Sequence, residues 1–519
     1  MKRPAPVAAL LAALLGTTPL AAQEVVYSKG NPILADGRSY STDPAPFVVD
    51  DTLWILAGRD EAPAGVNDFI MNEWQLLSTK DPAAGEWLHY PAIARPETLF
   101  RWAEPGRAYA GQIVRGGDGK FYLYAPVLEA KSDAQDRFAI GVAVADKPTG
   151  PWRDAHPSGP ILSQRTPEHN TIQNIDPTVL IDDDGTPYIA WGTFGQLRVV
   201  ALERDMITPK GSEVGITGLR GFFEAPWLMK RKGVYYMLYA GNTAGPDSDC
   251  TPAVYHACIA YGTATSPLGP WTYRGVILKP VSSTTSHSGA VAFKGQWYLA
   301  YHTADAVGGG HFRRSVALDR LEWDDSVSPA RIRQIVPTRA PQPAPLPTRN
   351  VAAAATAFAS NAPVPVQYWI AALNDGIRRD APLPPDMWGT WRAQGNPAHP
   401  WIEYRWTKPV TLDGSRIWFW GDHPAGSGEG VAPPQRWRID YWDGAWKPVP
   451  KASGYGVAAD AAQDVRFGAI TTRCLRATFD AAQAGGATAG VAVTEWEVLA
   501  PKPSKPTGAP QSAPAPCGP

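Results

Sequence analysis

The pattern of apolar and polar positions repeats five times between residues 42 and 302. Each copy begins with a polar or small residue, continues as an apolar strand and a turn with Asp or Gly, and ends in an aromatic-rich strand. The five copies begin at Thr42, Tyr109, Ile175, Phe223 and Ser286. Apolar strands that flank such turns predict β-hairpins. Repetition of one strand unit at this spacing predicts an all-β fold with a five-bladed β-propeller.

One position near the start of each copy carries the candidate chemistry. The equivalent residues are Asp43, Ala110, Asp176, Glu224 and His287. In a propeller the innermost strand of every blade faces one axis, so we expect these residues to meet in one pocket. Three carboxylates in a pocket suit hydrolysis of a glycosidic bond, where one acid protonates the leaving oxygen and another activates water or attacks the sugar. A third acid adjusts the pKa of the other two, because neighbouring like charges raise a pKa.

The local sequence suggests different roles for the three acids. Glu224 lies among aromatic residues in FFEAPWL, and an apolar setting is expected to keep it protonated as a general acid. Asp43 lies in the polar run SYSTDPAP and suits a base. Asp-Pro pairs also initiate turns, so Asp43 and Asp176 taken singly would predict turns. Their shared blade position is what favours catalysis.

Five further residues are candidates for substrate contact. His287 is a core histidine, a donor to substrate or a ligand to an ion on the axis, and its position favours a polar role. Arg314 is either solvated or placed to neutralise a catalytic carboxylate and bind sugar hydroxyls. Tyr40, Trp74 and Tyr109 are either core residues or platforms for a sugar ring, and for Trp74 the two alternatives have equal weight.

The regions outside the repeats differ in composition. Lys2 and Arg3 precede an apolar run and the small-residue site Leu20-Ala21-Ala22, which predicts a signal peptide and export to the periplasm or the exterior. Aromatic strands resume after a Pro-rich stretch and predict a second all-β domain. We therefore expect a signal peptide at 1–22, a propeller catalytic domain at 27–336, a linker at 337–349, a β-sandwich at 350–499 and a Pro-rich tail at 500–519.

Composition narrows the classes of function. Gly and Pro number 49 and 52 among 519 residues, which is typical of chains with many turns. Lys and Arg number 48 against 49 Asp and Glu, so the basic excess of a nucleic-acid binder is missing. Beyond the signal segment no apolar run is long enough to span a bilayer, so we expect no membrane association after cleavage. The four cysteines of an exported protein can pair as Cys250–Cys258 and Cys474–Cys517, although spacing alone does not fix the pairing.

Residues 31–336 contain the segments NPIL, STDPAPFVVDDTLWILAGRDEA, IDPTVLIDDDG, FFEAPWLMKRKGVYYMLYA, SPLGPWTYRGVI, SHSGAVAFKGQWYLAYH and FRRSVALD. With these segments the region resembles glycoside hydrolase family 43, the five-bladed propeller enzymes of hemicellulose breakdown. The resemblance is closest to the β-xylosidase and α-L-arabinofuranosidase branch. It implies Asp43 as general base, Asp176 as pKa modulator and orienter, Glu224 as general acid, His287 near the pocket floor and Arg314 facing the base.

The family resemblance carries further expectations. It implies inversion at the anomeric carbon, with roughly 6.5–9.5 Å between base and acid. It implies no cofactor for catalysis, and in some members a structural calcium ion near the equivalent of His287, held mostly through waters. Two features depart from the family: Glu-Ala-Pro at 224–226 replaces Glu-Gly-Pro, and Tyr109 stands where Trp is common. Residues 350–499 resemble the discoidin, or coagulation factor 5/8 type C, sandwich, whose members either bind glycans or buttress an enzyme.

The sequence thus predicts an exo-acting, inverting glycosidase that releases β-D-xylose and/or α-L-arabinofuranose from plant cell-wall xylan, arabinoxylan or arabinan. One alternative is an endo-arabinanase or another propeller glycosidase, and the absence of a WMNDPNG-like stretch weighs against fructan enzymes. Whether the enzyme is exo or endo depends on loops such as Arg59–Asn72 closing the pocket. The other alternative is a non-catalytic carbohydrate-binding protein. The sequence does not decide between xylose and arabinose.

Overall fold

The computed structural model describes residues 23–166, 170–241, 250, 258–282, 284–339, 349–360, 370–376, 387–391, 395–459, 461–501 and 517. Nearly all regular structure in these residues is β. The exceptions are the α-helix Pro96–Leu99 and the 3-10 turns Pro82–Ala84, Ala352–Ala354 and Ile370–Leu373. Among the helices described, none combines the length and the apolar character that a membrane crossing requires.

The first three blades are antiparallel sheets whose strands follow one another from the axis outward. Blade 1 consists of Tyr40–Val49, Thr52–Asp60, Trp74–Thr79, Glu86–Ala94 and, on its outer edge, Glu24–Tyr27. Blade 2 consists of Gln112–Arg115, Phe121–Leu128, Phe138–Ala145 and Arg153–Asp154. Blade 3 consists of Thr178–Ile181, Pro187–Trp191, Arg198–Leu202 and Pro209–Gly215.

Two more blades complete the ring. Blade 4 consists of Phe222–Arg231, Val234–Gly241, Cys258–Ala264 and Thr272–Leu278. Blade 5 consists of Ser288–Phe293, Gln296–Thr303 and Ser315–Leu321, followed by a small ribbon of Trp323–Asp324 and Arg331–Ile332. Each innermost strand contacts the innermost strands of the two neighbouring blades, and that of blade 5 contacts that of blade 1. The prediction of five blades around one axis is confirmed.

Strands in the middle of the blades are buried on both faces. Phe138–Ala145 is buried at every position after the first, and Cys258–Ala264 is buried throughout. A strand that packs against a neighbouring blade on each side needs apolar or small residues at every position, not at alternate ones. This explains the continuous apolar runs of the sequence repeats, and the stacked blades hold the axial residues in place.

The segment before blade 1 closes the ring against blade 5. The Asn31 side chain accepts a hydrogen bond from the Leu318 N–H at 2.8 Å and donates to the Leu318 carbonyl at 3.1 Å. The Ile33 N–H donates to the Val316 carbonyl at 2.8 Å. The first and last blades are therefore joined by hydrogen bonds from a segment that belongs to neither.

The region after residue 349 folds as a separate β-sandwich. Two long strands, Trp401–Trp420 and Ala462–Asp480, pair with each other along most of their length and change register between Arg405 and Val410. Strands that bend in this way pass from one layer of a sandwich to the other, and side chains from both ends of the first strand share one core. The remaining strands of this sheet are Thr356–Ala359, Trp388–Gly389, Arg436–Trp442, Trp446–Pro448 and Ala492–Leu499, and a ribbon pairs Gln483–Ala484 with Ala487–Thr488.

Both disulfides suggested by the cysteine spacing are present. Cys250 is bonded to Cys258 in blade 4, and Cys474 in the sandwich is bonded to Cys517 in the tail. The expected signal peptide at 1–22, residues 340–348 of the linker and all of the tail after residue 501 except Cys517 lie outside the described residues.

Candidate active site

Three of the innermost strands begin with the same strained backbone. Asp43, Asp176 and Ala225 each precede a proline, yet their φ angles are 52°, 56° and 55°. Left-handed backbone is uncommon for residues other than glycine, and a following proline favours extended backbone instead. Such strain persists only where the surrounding structure enforces it. Its recurrence marks one functional position, because in each blade it falls on an acid or directly beside one.

Asp43 is a buried carboxylate with three hydrogen-bond donors or cations around one oxygen. Its Oδ1 accepts from Arg314 Nη1 at 3.0 Å and from Thr42 Oγ1 at 2.9 Å, and lies 3.3 Å from His287 Nδ1. Burial raises the pKa of Asp43, but the positive charges of Arg314 and His287 outweigh burial and hold the pKa well below its usual range. Asp43 is therefore ionised at neutral pH.

Asp60 fixes the orientation of Arg314. Its Oδ2 accepts from Arg314 Nε at 2.8 Å and its Oδ1 from Nη2 at 2.9 Å, and the Arg314 backbone N–H also donates to Oδ2 at 2.8 Å. The guanidinium lies over the Phe69 ring at 4.9 Å. This bidentate pairing leaves Nη1 for Asp43. Asp60 was not among the residues predicted from the sequence, although it ends the strand Thr52–Asp60 within the matched segment of blade 1.

His287 lies between the three acids. Its Nδ1 faces Asp43, its Nε2 lies 3.3 Å from Glu224 Oε1, and the same nitrogen lies 4.0 Å from Asp176 Oδ2. Burial lowers the pKa of His287, but the surrounding carboxylates outweigh it and raise the pKa to about 10. The ring is therefore an imidazolium that can donate through both nitrogens.

His302 holds the backbone of the base residue Asp43. Its Nδ1 accepts from the Asp43 backbone N–H at 3.2 Å, and its Nε2 donates to the Thr285 carbonyl at 2.8 Å. These partners assign a neutral ring with the proton on Nε2. Burial lowers the pKa of His302, which agrees with that assignment.

Asp176 is the acid with the fewest partners. Its Oδ2 accepts from the Ala225 N–H at 3.2 Å, while its buried Oδ1 has no hydrogen-bond partner among the described residues. Burial raises the pKa of Asp176 to about 8; His287 opposes the rise, and the charges of Glu224 and Asp43 add to it. Asp176 is therefore largely protonated at neutral pH.

Glu224 is surrounded by polar groups. Its Oε2 accepts from Thr193 Oγ1 at 2.7 Å, and its Oε1 faces His287. Burial raises the pKa of Glu224, but the hydrogen bond and charge of His287 outweigh it, so the pKa is lowered. The expectation that an apolar setting keeps Glu224 protonated is wrong for this structure. His287 and Asp176, whose pKa values are raised, hold protons instead. The contact of Thr193 with Glu224 was not predicted from the sequence.

The three aromatic candidates differ in exposure. Trp74 is 0% exposed, and its indole N–H donates to the Tyr109 carbonyl at 2.8 Å. It is therefore a core residue that supports Tyr109, and the alternative of a sugar platform is wrong. The Tyr109 ring stacks on Phe138 at 5.3 Å. The Tyr40 hydroxyl donates to the Val307 carbonyl at 3.0 Å. Both tyrosines are partly exposed, and their contact with substrate stays a prediction.

Loops from blades 5, 1 and 2 contact one another beside Arg314, whose guanidinium lies over the Phe69 ring of the blade 1 loop. Arg313, in the blade 5 loop, donates from Nη1 to the Pro63 carbonyl of blade 1 at 3.3 Å. The Phe69 and Phe312 rings of the same two loops meet edge to face at 4.6 Å. Arg107 of blade 2 donates to the Phe69 carbonyl at 3.0 Å. The loop within Arg59–Asn72 is thus held against both neighbours.

Two cavities differ in their relation to the acids. A cavity of about 30 Å³ lies on the axis between Asp43, Asp176 and His287. A larger cavity of about 560 Å³ lies away from the acids, between the outer strand of blade 1 and blade 5. Its buried acid, Asp319, already accepts hydrogen bonds from Asn31, Tyr301 and Thr338. Of these two cavities, the axial one is therefore the candidate active site.

Two carboxyl groups on opposite sides of the His287 ring are the arrangement with which glycosidases cleave their substrates. Comparison with known proteins agrees with this geometry. Residues 30–328, more than half of the chain, match the model of Glycosyl hydrolases family 43. The chain belongs to that family and is a glycoside hydrolase.

Two relatives and one solved structure show the extent of the similarity. A xylosidase/arabinosidase of Bacteroides ovatus is 32% identical over 334 residues, which cover 55% of this chain and 92% of the relative. Xylosidase/arabinosidase 43A of Humicola insolens is 31% identical over 342 residues, covering 55% and 94%. The crystal structure of a family 43 arabinoxylan arabinofuranohydrolase from Bacillus subtilis has a TM-score of 0.50, 20% identity and coverage of 91% of this chain and 98% of its own. The last likeness concerns the fold.

Proposed function

We propose that this protein is an exo-acting, inverting glycosidase that releases pentoses, β-D-xylose and/or α-L-arabinofuranose, from fragments of xylan, arabinoxylan or arabinan. The observation that carries the proposal is the placement of ionised Asp43 and Glu224 on opposite sides of the His287 ring. The xylosidase/arabinosidase relatives support the choice of pentoses.

Asp43 acts as the general base. Arg314 and His287 keep its carboxylate ionised and fixed, so it can take a proton from a water that attacks the anomeric carbon. Inversion needs roughly 6.5–9.5 Å between base and acid so that this water fits. A whole imidazole ring with a contact on each side separates the Asp43 and Glu224 oxygens, which supports inversion.

Glu224 acts as the general acid and receives its proton from within the cluster. His287 and Asp176 have raised pKa values of about 10 and about 8, so both hold a proton at neutral pH. His287 Nε2 lies 3.3 Å from Glu224 Oε1, so the proton on Nε2 can pass directly to Glu224. The protons belong to the coupled set and not to one residue. Asp176 thereby acts as pKa modulator, and the Ala225 N–H orients its carboxyl.

The closed side of the pocket supports exo action. Loops of blades 5, 1 and 2 are joined by the Arg313, Phe69 and Arg107 contacts, and we infer that they block a continuing polysaccharide chain on that side. The sugar to be released occupies this closed side, with Tyr40 and Tyr109 along it. The leaving group extends toward Glu224.

The test compares release from 4-nitrophenyl β-xyloside, 4-nitrophenyl α-L-arabinofuranoside and the corresponding disaccharides. Asp43→Asn should lose about 10²–10⁴-fold on every substrate, since the base is always needed. Glu224→Gln should lose as much on disaccharides but far less on nitrophenyl glycosides, because nitrophenolate leaves with little protonation. NMR identifies the anomer of the sugar that is released first, and an anomer opposite to that of the substrate shows inversion. No release by wild type from any of these substrates would favour an endo-acting enzyme or a non-catalytic carbohydrate-binding protein, and linear arabinan separates the two.

The expected calcium ion does not fit the axial residues as they stand. Donor atoms of Asp176, Glu224 and His287 lie within 4.8 Å of one another. Calcium, however, takes six to eight oxygen ligands, while both nitrogens of His287 face carboxylates and the axial cavity of about 30 Å³ holds about one water. The His287 imidazolium itself supplies positive charge among the acids. We therefore assign no step to calcium.

Export and the character of the second domain complete the proposal. The composition of residues 1–22 and the two disulfides support export to the periplasm or the exterior. The seven-stranded curled sheet supports a discoidin-like sandwich at 350–499. N-terminal sequencing of the exported protein would test the first point, with cleavage near Ala22 expected.

A further inference from the structure

Phe194 is an exposed aromatic residue in a strained turn, directly after the Thr193 that binds Glu224. It is 68% exposed, and its φ of 52° lies in the left-handed region. The turn follows the strand Pro187–Trp191 of blade 3. Glycine would adopt this backbone without strain. A phenylalanine here has the strain without the burial that normally offsets it, so packing does not account for its presence.

The turn is attached to the general acid. Thr193 donates to Glu224 Oε2 at 2.7 Å, and the Gly195 N–H donates to the Phe223 carbonyl at 3.1 Å. The Phe194 and Phe223 rings meet edge to face at 5.7 Å. The two rings are therefore linked to the acid through the chain, because Phe223 is adjacent in sequence to Glu224 and Phe194 is adjacent to the threonine that binds it.

The position of these rings relates to the leaving group. A general acid protonates the leaving oxygen, so the leaving group must lie on the Glu224 side of the scissile bond. The opposite side is closed by the loops of blades 5, 1 and 2. The leaving group thus extends over blades 3 and 4, where Phe194 presents its ring.

We infer that Phe194, backed by Phe223, is the platform on which the leaving-group sugar of the substrate rests. The inference rests on the proposed function and adds the residue that determines preference for the leaving group. An aromatic face offers apolar contact to the C–H face of a sugar ring without demanding a particular hydroxyl pattern. This site therefore tolerates different leaving sugars but disfavours leaving groups that have no ring.

The test measures kcat/KM for two substrates of the pentose that wild type releases: its disaccharide and its glycosyl fluoride. Fluoride has no ring to contact Phe194. Phe194→Ala should lower kcat/KM for the disaccharide about tenfold, mainly through KM, and leave the fluoride unchanged. Phe194→Tyr should restore the disaccharide value. Leu268→Ala, which removes an exposed apolar side chain from an outer turn of blade 4, serves as matched control and should change neither substrate.

The outcomes separate the inference from the proposed function. An equal loss on both substrates would overturn the inference, because Phe194 would then act by supporting Thr193 and Glu224. An unchanged kcat/KM for the disaccharide in Phe194→Ala would overturn the inference as well. Wild-type protein that hydrolyses neither substrate would overturn the proposed function, and this inference with it.

Discussion

Replacing Asp60 with alanine removes every oxygen acceptor that the described residues offer the Arg314 side chain except Asp43. Asp60 and Arg314 are 3% and 4% exposed, so solvent cannot take over the lost hydrogen bonds. Removal of one partner from a buried ion pair typically costs about 3–5 kcal/mol, because the remaining charge is left uncompensated. Since Arg314 keeps its contact with Asp43 at 3.0 Å, we expect the lower end, about 3 kcal/mol of unfolding free energy.

The chain contains a control ion pair that differs in burial. Asp325 accepts from Arg231 Nη1 at 2.6 Å and from Nη2 at 2.8 Å, also bidentate, but its side chain is 46% exposed. Exposed pairs contribute little because solvent screens them, so Asp325→Ala should cost much less stability than Asp60→Ala. Asp60→Asn keeps one acceptor oxygen and should fall between the two.

The assay is urea unfolding of the full chain, followed by tryptophan fluorescence, with the shift in midpoint converted by the m-value of the wild type. Activity should fall in Asp60→Ala as well, because Arg314 loses its fixed orientation beside the base. A loss of stability in Asp60→Ala no greater than in Asp325→Ala would refute the reasoning that burial, and not pairing geometry, sets the strength of these contacts.

Three further predictions concern the axis and its surroundings. The pKa of Asp176 is raised from its usual value to about 8, so its contribution to stability is present at low pH and lost as pH rises toward and through 8. Asp176→Asn should therefore raise Tm relative to wild type at pH 9 but not at pH 3. Equal effects on Tm at both pH values would contradict a raised pKa for Asp176. Removal of calcium with EDTA should leave Tm and activity unchanged, and a loss restored by added calcium would contradict the misfit described at His287. Trp74→Ala should cost about 3–5 kcal/mol of unfolding free energy, because it truncates a core side chain. Tyr109→Ala should instead mainly raise KM. A change in KM without a loss of stability in Trp74→Ala would restore the hypothesis that Trp74 is a platform for a sugar ring.

The axial residues were predictable because equivalent positions in the repeats of a propeller face the same axis. Asp43, Asp176, Glu224 and His287 lie up to 244 residues apart, yet each lies within three residues of the start of the innermost strand of a blade. Five copies of one hairpin pattern were enough to place them together. The roles of the three acids remain predictions, to be decided by the substrate comparison.

The environment of each side chain was less predictable. The aromatic residues next to Glu224 in the sequence pack on other rings, Phe222 on Tyr239 at 5.6 Å and Phe223 on Phe194 at 5.7 Å. The partners of Glu224, Thr193 and His287, come from blades 3 and 5. Asp60 was missed for the same reason, since its partner Arg314 lies 254 residues away. Burial of Trp74 depends on packing between blades, which an aromatic pattern does not report.

The hydrogen bonds from Asn31 and Ile33 to blade 5 have a consequence for the order in which the molecule matures. Asn31 and its partner Leu318 are 287 residues apart, so this contact belongs to the slow class of pairings that require distant parts of a chain to meet. During synthesis Asp43 emerges early, whereas both of its cationic partners, His287 and Arg314, come from the last blade. The base therefore receives its counter-charges only when the ring closes, and a partly made propeller has no competent site.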